Sequence, residues 1–357
     1  MTGQAPIRVA IVDDSAFMRI ALRQMLGRSP DVEIVAEGRN GREAIEIAQR
    51  EQPDLMTLDV LMPELNGLEA LAGIMESAPC PVLMISTETQ QGAETTMRAL
   101  DLGAVDFIAK TTDMATLDMA WIGNKLIEKV TYWARQNRPA QRVRKVPEQA
   151  VLRSVEELAR VPDMIVIAAS TGGPRAITEL VGGMRAPLCP VVVAQHMPEG
   201  FTEDFARHLA LRSGHQVVEV QSGGEILPGG MTILEGGVDS EVKRSQAGRF
   251  EVMTRGTHQG VVHPSADLLM QSVAEHCKLA AAVILTGMGD DGVVGSRLFA
   301  AKGWPVLAQE PASCVVAGMP GAVIAAGMAT AVLPIAGIAR QLNRWAVPRK
   351  GPGGRHG

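Results

Sequence analysis

Short apolar runs alternate with amphipathic stretches twice along the 357 residues, and this feature constrains the fold more than any other. Each apolar run has the length of a buried strand, and each amphipathic stretch has the periodicity of a helix. Such an alternation is typical of parallel sheets with helices on both faces. The sequence therefore predicts an α/β protein with two doubly wound domains.

The first alternation predicts a five-stranded parallel domain over residues 1–133, with the flavodoxin-like strand order 2-1-3-4-5. Its predicted strands span residues 7–13, 32–37, 54–58, 81–85 and 106–109. Residues 134–160 carry several Arg, Gln and Pro residues and no sustained apolar strand. They predict an interdomain linker with some helix near residues 155–158.

The second alternation predicts a mainly parallel α/β domain over residues 161–350. Its predicted strands span residues 164–169, 190–195, 280–286 and 305–309. Gly/Pro turns separate three further short runs, at residues 231–234, 241–243 and 250–253. These runs predict antiparallel hairpin strands inserted at the edge of the sheet.

Composition limits the compartment and the partners. The four cysteines, Cys80, Cys189, Cys277 and Cys314, form no C-x-x-C pair, which argues against a zinc site or a disulfide framework. A net charge of -5 and an aromatic content of 3% argue against nucleic-acid binding. No apolar run approaches the ~20 residues of a membrane helix, and no secretory signal is evident. We therefore expect a cytoplasmic protein without direct membrane insertion, whose partners are proteins.

Three carboxylates are predicted to meet in the first domain. Asp13 ends its first strand and Asp14 follows it, and Asp59 follows its third strand. These strands are neighbours in the predicted order, and like charges held close together are costly unless a cation lies among them. Oxygen ligands of this kind suit Mg²⁺, which binds through one or two carboxylates and phosphate. The cluster predicts a magnesium site and acyl-phosphate chemistry on Asp59.

Strands four and five end in Ser86 and Lys110, which add a hydroxyl and an ammonium at the same edge. With the three carboxylates, they resemble the response-regulator receiver family over about 125 residues. The resemblance implies that Asp59 accepts the phosphoryl group, that Asp13, Asp14 and Asp59 hold Mg²⁺, that Ser86 is the switch hydroxyl and that Lys110 contacts the phosphate. Thr111 follows Lys110 where the family usually has proline.

A hydroxyl, an imidazole and a carboxylate follow three strands of the second domain. Ser170 begins a glycine-rich turn before a helical pattern that starts at Arg175, His196 follows the next strand, and Asp291 lies in a glycine loop after the third. A nucleophile, a base and a carboxylate that orients the base are what acyl transfer requires. Their order differs from that of the α/β-hydrolases, and the chain contains no G-x-S-x-G elbow.

The stretches around these residues resemble the chemotaxis protein-glutamate methylesterase family, and with the receiver the match covers nearly the whole chain. They read ASTGGP at 169–174, QHMPEGF at 195–201 and LTGMGDDG at 285–292. The resemblance implies a triad of Ser170, His196 and Asp291, rather than Asp290. Thr171 and the backbone of Met288 are implied to support the oxyanion. The chain departs from the family at His263, where arginine is usual, and at residues 233–237.

The resemblance also implies the reaction and the partners. It implies hydrolysis of glutamate methyl esters on chemoreceptors and deamidation of some glutamines, with no cofactor in the catalytic domain. The implied phosphodonor is a chemotaxis histidine kinase. Because a switch domain is tethered to an enzyme, we expect the unphosphorylated receiver to inhibit the esterase and phosphorylation of Asp59 to activate it.

Two other readings of the second domain remain open at this point. Residues 287–292 fit the dinucleotide fingerprint G-x-G-x-x-G, and Glu310 follows where a ribose-binding acid would stand. Two carboxylates inside that loop would, however, repel a pyrophosphate. Alternatively, the domain is a catalytically inactive interaction module switched by the receiver.

Overall fold

The computed structural model describes residues 5–87, 90–110, 119–136, 161–256 and 262–345. The chain divides into two compact units, Met1–Arg144 and Lys145–Gly357. Of the predicted linker, residues 137–160 lie outside the described residues, as does the helix predicted near 155–158. The predicted domain limits therefore stay predictions. No helix in the described ranges is both long and apolar enough to cross a membrane.

Five strands alternate with five helices in the described part of the first unit. The strands are β1 (Ile7–Val12), β2 (Val32–Gly38), β3 (Leu55–Asp59), β4 (Val82–Thr87) and β5 (Asp106–Lys110). The helices are α1 (Ala16–Leu26), α2 (Gly41–Glu51), α3 (Gly67–Ser77), α4 (Gln90–Leu102) and α5 (Met119–Gln136). All neighbouring strands are parallel, in the order β2-β1-β3-β4-β5. The predicted fold and order are confirmed.

Local chemistry explains why these helices begin where they do. The Ser15 side chain accepts a hydrogen bond from the Met18 backbone at the start of α1, and Asn66 forms a capping box with Glu69 at the start of α3. Such caps satisfy N–H groups that lack a partner within the helix. A Cβ at Gly67 would lie 2.1 Å from the Asp59 carbonyl oxygen, so α3 begins close against the end of β3. The caps and this contact keep both loops tight around the carboxyl ends of β1 and β3.

The second unit contains a seven-stranded parallel sheet and a separate antiparallel pair. Its sheet strands are β6 (Met164–Ala169), β7 (Val191–Gln195), β8 (Val217–Val220), β9 (Met231–Leu234), β12 (Ala280–Ile284), β13 (Val306–Gln309) and β14 (Ala331–Leu333). The pair is β10 (Asp239–Arg244) and β11 (Phe250–Gly256). The helices are α6 (Gly173–Gly182), α7 (Thr202–Ser213), α8 (Ala266–His276), α9 (Val293–Ala301), α10 (Gly318–Ala325) and α11 (Ile335–Trp345).

The order of this sheet is β14-β13-β12-β6-β7-β9-β8, which makes β12, β6 and β7 adjacent. Every residue of these three strands is buried. Strands covered on both faces by helices carry continuous apolar runs, as these do. The loops that follow the three strands therefore leave the same edge of the sheet side by side.

One predicted hairpin strand is wrong. Residues 231–234 form β9, which pairs in parallel with β7 and β8 inside the main sheet. All four of its residues are buried, a pattern of an interior parallel strand rather than of a hairpin with one solvated face. The other two runs do form the antiparallel pair β10–β11. The short strands β8 and β14 were not predicted, and α6 begins at Gly173, two residues before the predicted start.

Candidate functional site

The three carboxylates of the first unit lie together at the carboxyl edge of its sheet. One carboxylate oxygen from each of Asp13, Asp14 and Asp59 lies within 4.8 Å of the other two. Asp13 and Asp59 are buried, whereas Asp14 is exposed. Among the described residues, Oδ1 of Asp59 is buried without a hydrogen-bond partner. An unpartnered carboxylate oxygen in an all-oxygen cluster fits a hard divalent cation.

Lys110 supplies the positive charge recorded at this cluster. Its Nζ lies 2.9 Å from Oδ2 of Asp13 and 2.8 Å from Oδ2 of Asp59. Burial raises the pKa of Asp59 to about 6, with a further contribution from Asp13 and against the hydrogen bond from Lys110. Burial acts to lower the pKa of Lys110, but its hydrogen bonds to Asp59 and Asp13 raise the pKa by more than burial lowers it. The net shift of the Lys110 pKa is therefore upward. Among the described residues, the Lys110 ammonium pairs with two of the three clustered carboxylates, and the site favours a further cation.

Ser86 lies at the same edge, one residue before the end of β4. Its side chain is fully buried, and the next residue, Thr87, pairs with Lys110 across the sheet. The structure therefore brings together all five residues predicted for the phosphorylation site. Their individual roles stay predictions.

Ser170 begins the turn between β6 and α6. Gly172 has a φ of +75°, the left-handed region that favours glycine, and a Cβ there would lie 2.5 Å from Val315. The Ser170 amide donates to the Thr286 carbonyl oxygen at 3.0 Å, and a Cβ at Gly287 would lie 2.8 Å from the Ser170 Cβ. The serine turn therefore packs directly against the loop that follows β12.

His196 and Asp291 form a partly buried pair beside this turn. Nε2 of His196 lies 2.9 Å from Oδ2 of Asp291, and the histidine side chain is 5% exposed. The His196 amide donates to the Ala169 carbonyl at 2.9 Å, which places His196 next to Ser170 at the ends of adjacent strands. Nε2 is thus the ring nitrogen that contacts the carboxylate, and Nδ1 is the ring nitrogen that does not. The chymotrypsin template uses the two nitrogens the other way round.

The predicted contact between Ser170 and His196 is not formed. Nδ1 of His196 is buried and has no hydrogen-bond partner within the described ranges. Catalytic hydrogen bonds in free enzymes are often long and tighten when substrate binds, so the missing contact does not exclude the predicted triad. The Asp291 side of the predicted triad is thus formed, and the serine side is open.

Asp291 is held by the N-terminus of α8. Besides His196, its carboxylate accepts hydrogen bonds from the Ala266 amide at 2.7 Å, the Asp267 amide at 3.0 Å and the Ser265 hydroxyl at 3.2 Å. Burial acts to raise the pKa of Asp291, but the hydrogen bond and charge of His196 and the helix amides outweigh it, so the pKa is lowered. The carboxylate therefore stays ionised and can orient the imidazole. Asp290 is exposed.

The two residues predicted to support the oxyanion lie in the loops around Ser170. Thr171 is buried, and its carbonyl oxygen accepts from the Thr286 hydroxyl at 3.0 Å. Met288 is partly buried and follows Gly287, which packs against Ser170. The start of α6 also lies here, and helix N-termini present amides that can stabilise an oxyanion. The part played by Thr171 and Met288 stays a prediction.

The sequence did not reveal the residues that support Asp291 from behind. Ser265 caps α8, accepting from the Leu268 amide at 3.4 Å, and its own amide donates to Oδ1 of buried Asp239 at 2.8 Å. Nδ1 of His263 lies 2.9 Å from the same Asp239 oxygen. A serine before an apolar helical run signals a helix cap. Nothing local signals that the cap also binds a carboxylate at position 291.

We expect Ser265→Ala to lower the esterase rate about tenfold and to destabilise the second unit by about 1 kcal/mol, since it removes both a helix cap and a hydrogen bond to Asp291. Steady-state rates and thermal unfolding measure the two effects. Ser213→Ala, which removes a hydroxyl bonded to the Leu209 carbonyl on α7, is the matched control. A rate equal to wild type in Ser265→Ala would contradict the support assigned to this serine.

The first α/β unit has a buried carboxylate cluster, and the second has a histidine–carboxylate pair beside a serine turn. Together these features define a receiver-linked serine hydrolase. Comparison with known families agrees with this class. The sequence model of the CheB methylesterase matches residues 165–342, and that of the response regulator receiver domain matches residues 9–121. The chain belongs to the CheB family of receiver-linked protein-glutamate methylesterases.

Curated relatives match over nearly their whole length. A protein-glutamate methylesterase/protein-glutamine glutaminase 2 of Nitratidesulfovibrio vulgaris is 37% identical over 93% of this chain and 97% of its own length. A protein-glutamate methylesterase/protein-glutamine glutaminase of Pyrococcus abyssi is 36% identical over 100% of this chain and 98% of its own. The crystal structure of the Thermotoga maritima CheB methylesterase catalytic domain is 36% identical, with a TM-score of 0.48, over 51% of this chain and 97% of that one. The match to the methylesterase family model and the identity to the two curated relatives disfavour the dinucleotide-binding and inactive-module readings.

Proposed function

We propose that the chain hydrolyses methyl esters of glutamate side chains, and deamidates some glutamines, on a chemoreceptor. The names of its curated relatives support both activities. The observation that carries the proposal is the partly buried His196–Asp291 pair at 2.9 Å, anchored on α8 and lying beside the Ser170 turn. This arrangement supplies a nucleophile, a base and a group that orients the base.

In the proposed mechanism, Asp291 accepts the Nε2 proton of His196 in a hydrogen bond and so keeps Nδ1 unprotonated. Nδ1 then takes the Ser170 hydroxyl proton as the oxygen attacks the ester carbonyl. The proton passes to the departing methoxide, and methanol leaves. Water, deprotonated by Nδ1, attacks the acyl-enzyme, and the proton on Nδ1 passes to the departing Ser170 oxygen, which releases glutamate and restores free Ser170 and His196. With a glutamine side chain the same steps release ammonia.

Amides near the start of α6 and after Gly287 support the oxyanion in this scheme. Thr171 and the Met288 backbone are the proposed donors, because both lie in loops that pack around Ser170. Such donors stabilise the negative charge that develops on the carbonyl oxygen in the transition state. Asp291, being ionised, stabilises the imidazolium formed in the same step.

The first unit is proposed to control this activity through a phosphoryl group on Asp59. Asp13, Asp14 and Asp59 would hold Mg²⁺, which when bound neutralises charge on phosphoryl oxygens. The unpartnered Oδ1 of Asp59 supports this assignment. Lys110 pairs with a phosphoryl oxygen, and Ser86 is the switch hydroxyl at the end of β4. The proposed phosphodonor is a chemotaxis histidine kinase, and the proposed location is the cytoplasm.

Methanol release from a methylated chemoreceptor tests this function. The purified chain should release methanol, and a phosphodonor should accelerate the release in the presence of Mg²⁺. Binding to the receptor without methanol release under either condition would instead support the inactive interaction module.

We expect millimolar Mg²⁺ to raise the thermal unfolding midpoint of the receiver unit, because a ligand that binds only the folded state stabilises it by about 2.7 kcal/mol at a hundred times its Kd. Differential scanning calorimetry with and without Mg²⁺ measures the shift. Asp13→Asn should abolish it. Asp31→Asn, at an exposed carboxylate paired with Arg135, should keep it. An equal shift in wild type and Asp13→Asn would contradict the metal assignment.

A further inference from the structure

Gln195 makes an unusual set of contacts at the catalytic edge. It is the last residue of β7, and it is 1% exposed. Its Nε2 donates to the carbonyl oxygen of Ser170 at 3.0 Å and to that of His196 at 3.1 Å. Because both acceptors are carbonyl oxygens, only the NH₂ end of the amide can face them. One side chain therefore bridges the backbones of the proposed nucleophile and the proposed base.

This bridge lies where the regular pairing of β6 with β7 ends. Ala169 pairs with Gln195, and the last backbone hydrogen bond of the ladder runs from the His196 amide to the Ala169 carbonyl. Beyond that point strands β6 and β7 continue into different loops, and no further backbone hydrogen bond of the sheet joins Ser170 to His196. The side-chain amide of Gln195 connects the two strand ends instead, through its hydrogen bonds to the carbonyl oxygens of Ser170 and His196.

Gln195 packs closely against the start of α6. A Cβ at Gly173 would lie 2.0 Å from Oε1 of Gln195, so glycine at the first residue of α6 lets the amide take this position. The Ser170 carbonyl also accepts from the Gly173 amide at 2.8 Å, which ties the turn to the same helix start. Gln195, the serine turn and α6 thus form one packed unit.

We infer that Gln195 is a positioning residue that sets the separation of Ser170 from His196. The inference rests on the proposed function, in which His196 must take the Ser170 proton. In this role Gln195 limits the separation of the two residues, because the backbones of both are bound to one planar amide group.

Gln309 offers a matched control within the same sheet. It is also 1% exposed and also ends a strand, β13. Its side chain accepts from the Thr286 amide at 2.8 Å and donates to the Ser313 carbonyl at 2.9 Å. Replacing it removes the hydrogen bonds of a buried amide side chain, as at Gln195, but none of these bonds involves Ser170 or His196.

The test compares Gln195→Met with Gln309→Met in the full chain, using methanol release from a methylated receptor. Methionine keeps the length of the side chain and removes its hydrogen bonds. We expect Gln195→Met to lower kcat roughly 10²-fold, the size of effect that a displaced catalytic group produces, with KM within about twofold. Gln309→Met should show a comparable fall in thermal unfolding midpoint but keep kcat within about threefold. Equal losses of kcat in the two variants would overturn the inference.

A second variant, Gln195→Glu, decides the matter if the methionine variant does not fold. A protonated glutamate can still donate to one carbonyl, whereas a carboxylate cannot donate to either. The rate of this variant relative to wild type should therefore fall as pH rises from 5 to 8, at a temperature where circular dichroism shows both folded. His196 and Asp291, which also lie at this edge, are present in both proteins. A ratio that does not change with pH would count against the inference.

Ser170→Ala separates this inference from the function beneath it. Should that variant keep the wild-type rate, the proposed mechanism fails, whatever Gln195 does. Should it lose the rate while Gln195→Met keeps it, only the positioning role of Gln195 fails.

Discussion

Replacing Ser170 by alanine is expected to lower methanol release by at least about 10⁴-fold. The variant lacks the oxygen that attacks the ester, so no acyl-enzyme can form and only the residual effect of binding and oxyanion stabilisation remains. Folding should be preserved, because alanine fits the same turn and the recorded contacts of Ser170 with Thr286, Gly173 and Gln195 run through its backbone.

The measurement is the rate of methanol release at saturating receptor, with and without phosphodonor. Ser213→Ala serves as control, since it removes a hydroxyl of the same unit that bonds backbone on α7. Phosphoryl uptake on the receiver should be equal in all three proteins. A wild-type rate in Ser170→Ala would remove the serine from the mechanism, and receptor binding without turnover in the wild type would leave an interaction module.

Replacing Asp59 by asparagine is expected to abolish phosphoryl uptake and to reduce the activation by phosphodonor to a ratio of one. The carboxylate oxygen that forms the acyl phosphate is gone, and an amide is not a substitute nucleophile. Incorporation of ³²P from a labelled phosphodonor and the ratio of methanol release with and without phosphodonor measure the two effects. Full activation of the variant would contradict the proposed switch.

The same substitution should stabilise the receiver unit near neutral pH, in contrast to most buried replacements. The pKa of Asp59 is raised from 3.8 to about 6, so the folded state binds this proton more tightly than the unfolded state. Wild-type stability from this group is therefore present below pH 4 and is lost as pH rises to about 6. Asparagine does not ionise, so the variant does not lose this stability as pH rises. We expect its free energy of unfolding to exceed that of wild type by about 1 to 3 kcal/mol above pH 6.

Asp106→Asn is the matched control for both effects. Asp106 is a buried carboxylate at the opposite end of β5 from Lys110, and it pairs with Lys129 at 2.7 Å. Its replacement should leave phosphoryl uptake intact and should not stabilise the unit, since it breaks an ion pair without relieving a cluster of like charges.

The regular elements of both units could be predicted because their signal is local. The buried runs of β1, β3, β6, β7 and β12 are continuous in sequence, and the parallel order follows from the helices between them. Parallel order alone brings Asp13 near Asp59, and Ser170 near His196, because side chains that follow adjacent strands share an edge. The sequence therefore predicted which loops, and which residues in those loops, lie close together. It did not predict the contacts between the side chains.

The strand β9 shows where this reasoning failed. Gly229 and Gly230 precede it and suggested a hairpin, but its neighbours are β7 and β8, which lie about ten or more residues away along the chain. Which strand pairs with which depends on how much apolar surface each pairing buries across the whole sheet. A short stretch of sequence does not show how much surface the alternative pairings would bury.

The sequence by itself determined the two α/β units, the sheet edges at which chemistry is possible and the residue types at those edges. It did so because the hydrophobic period of a helix and the apolar run of a buried strand are both formed by residues that lie close together in sequence. Only the tertiary structure decided that the N-terminus of α8 holds Asp291, that Nε2 rather than Nδ1 of His196 faces it, and that Gln195 bridges the serine and histidine backbones. These contacts join residues that the chain separates, and they depend on loop conformations and side-chain rotamers that are set when the whole unit packs.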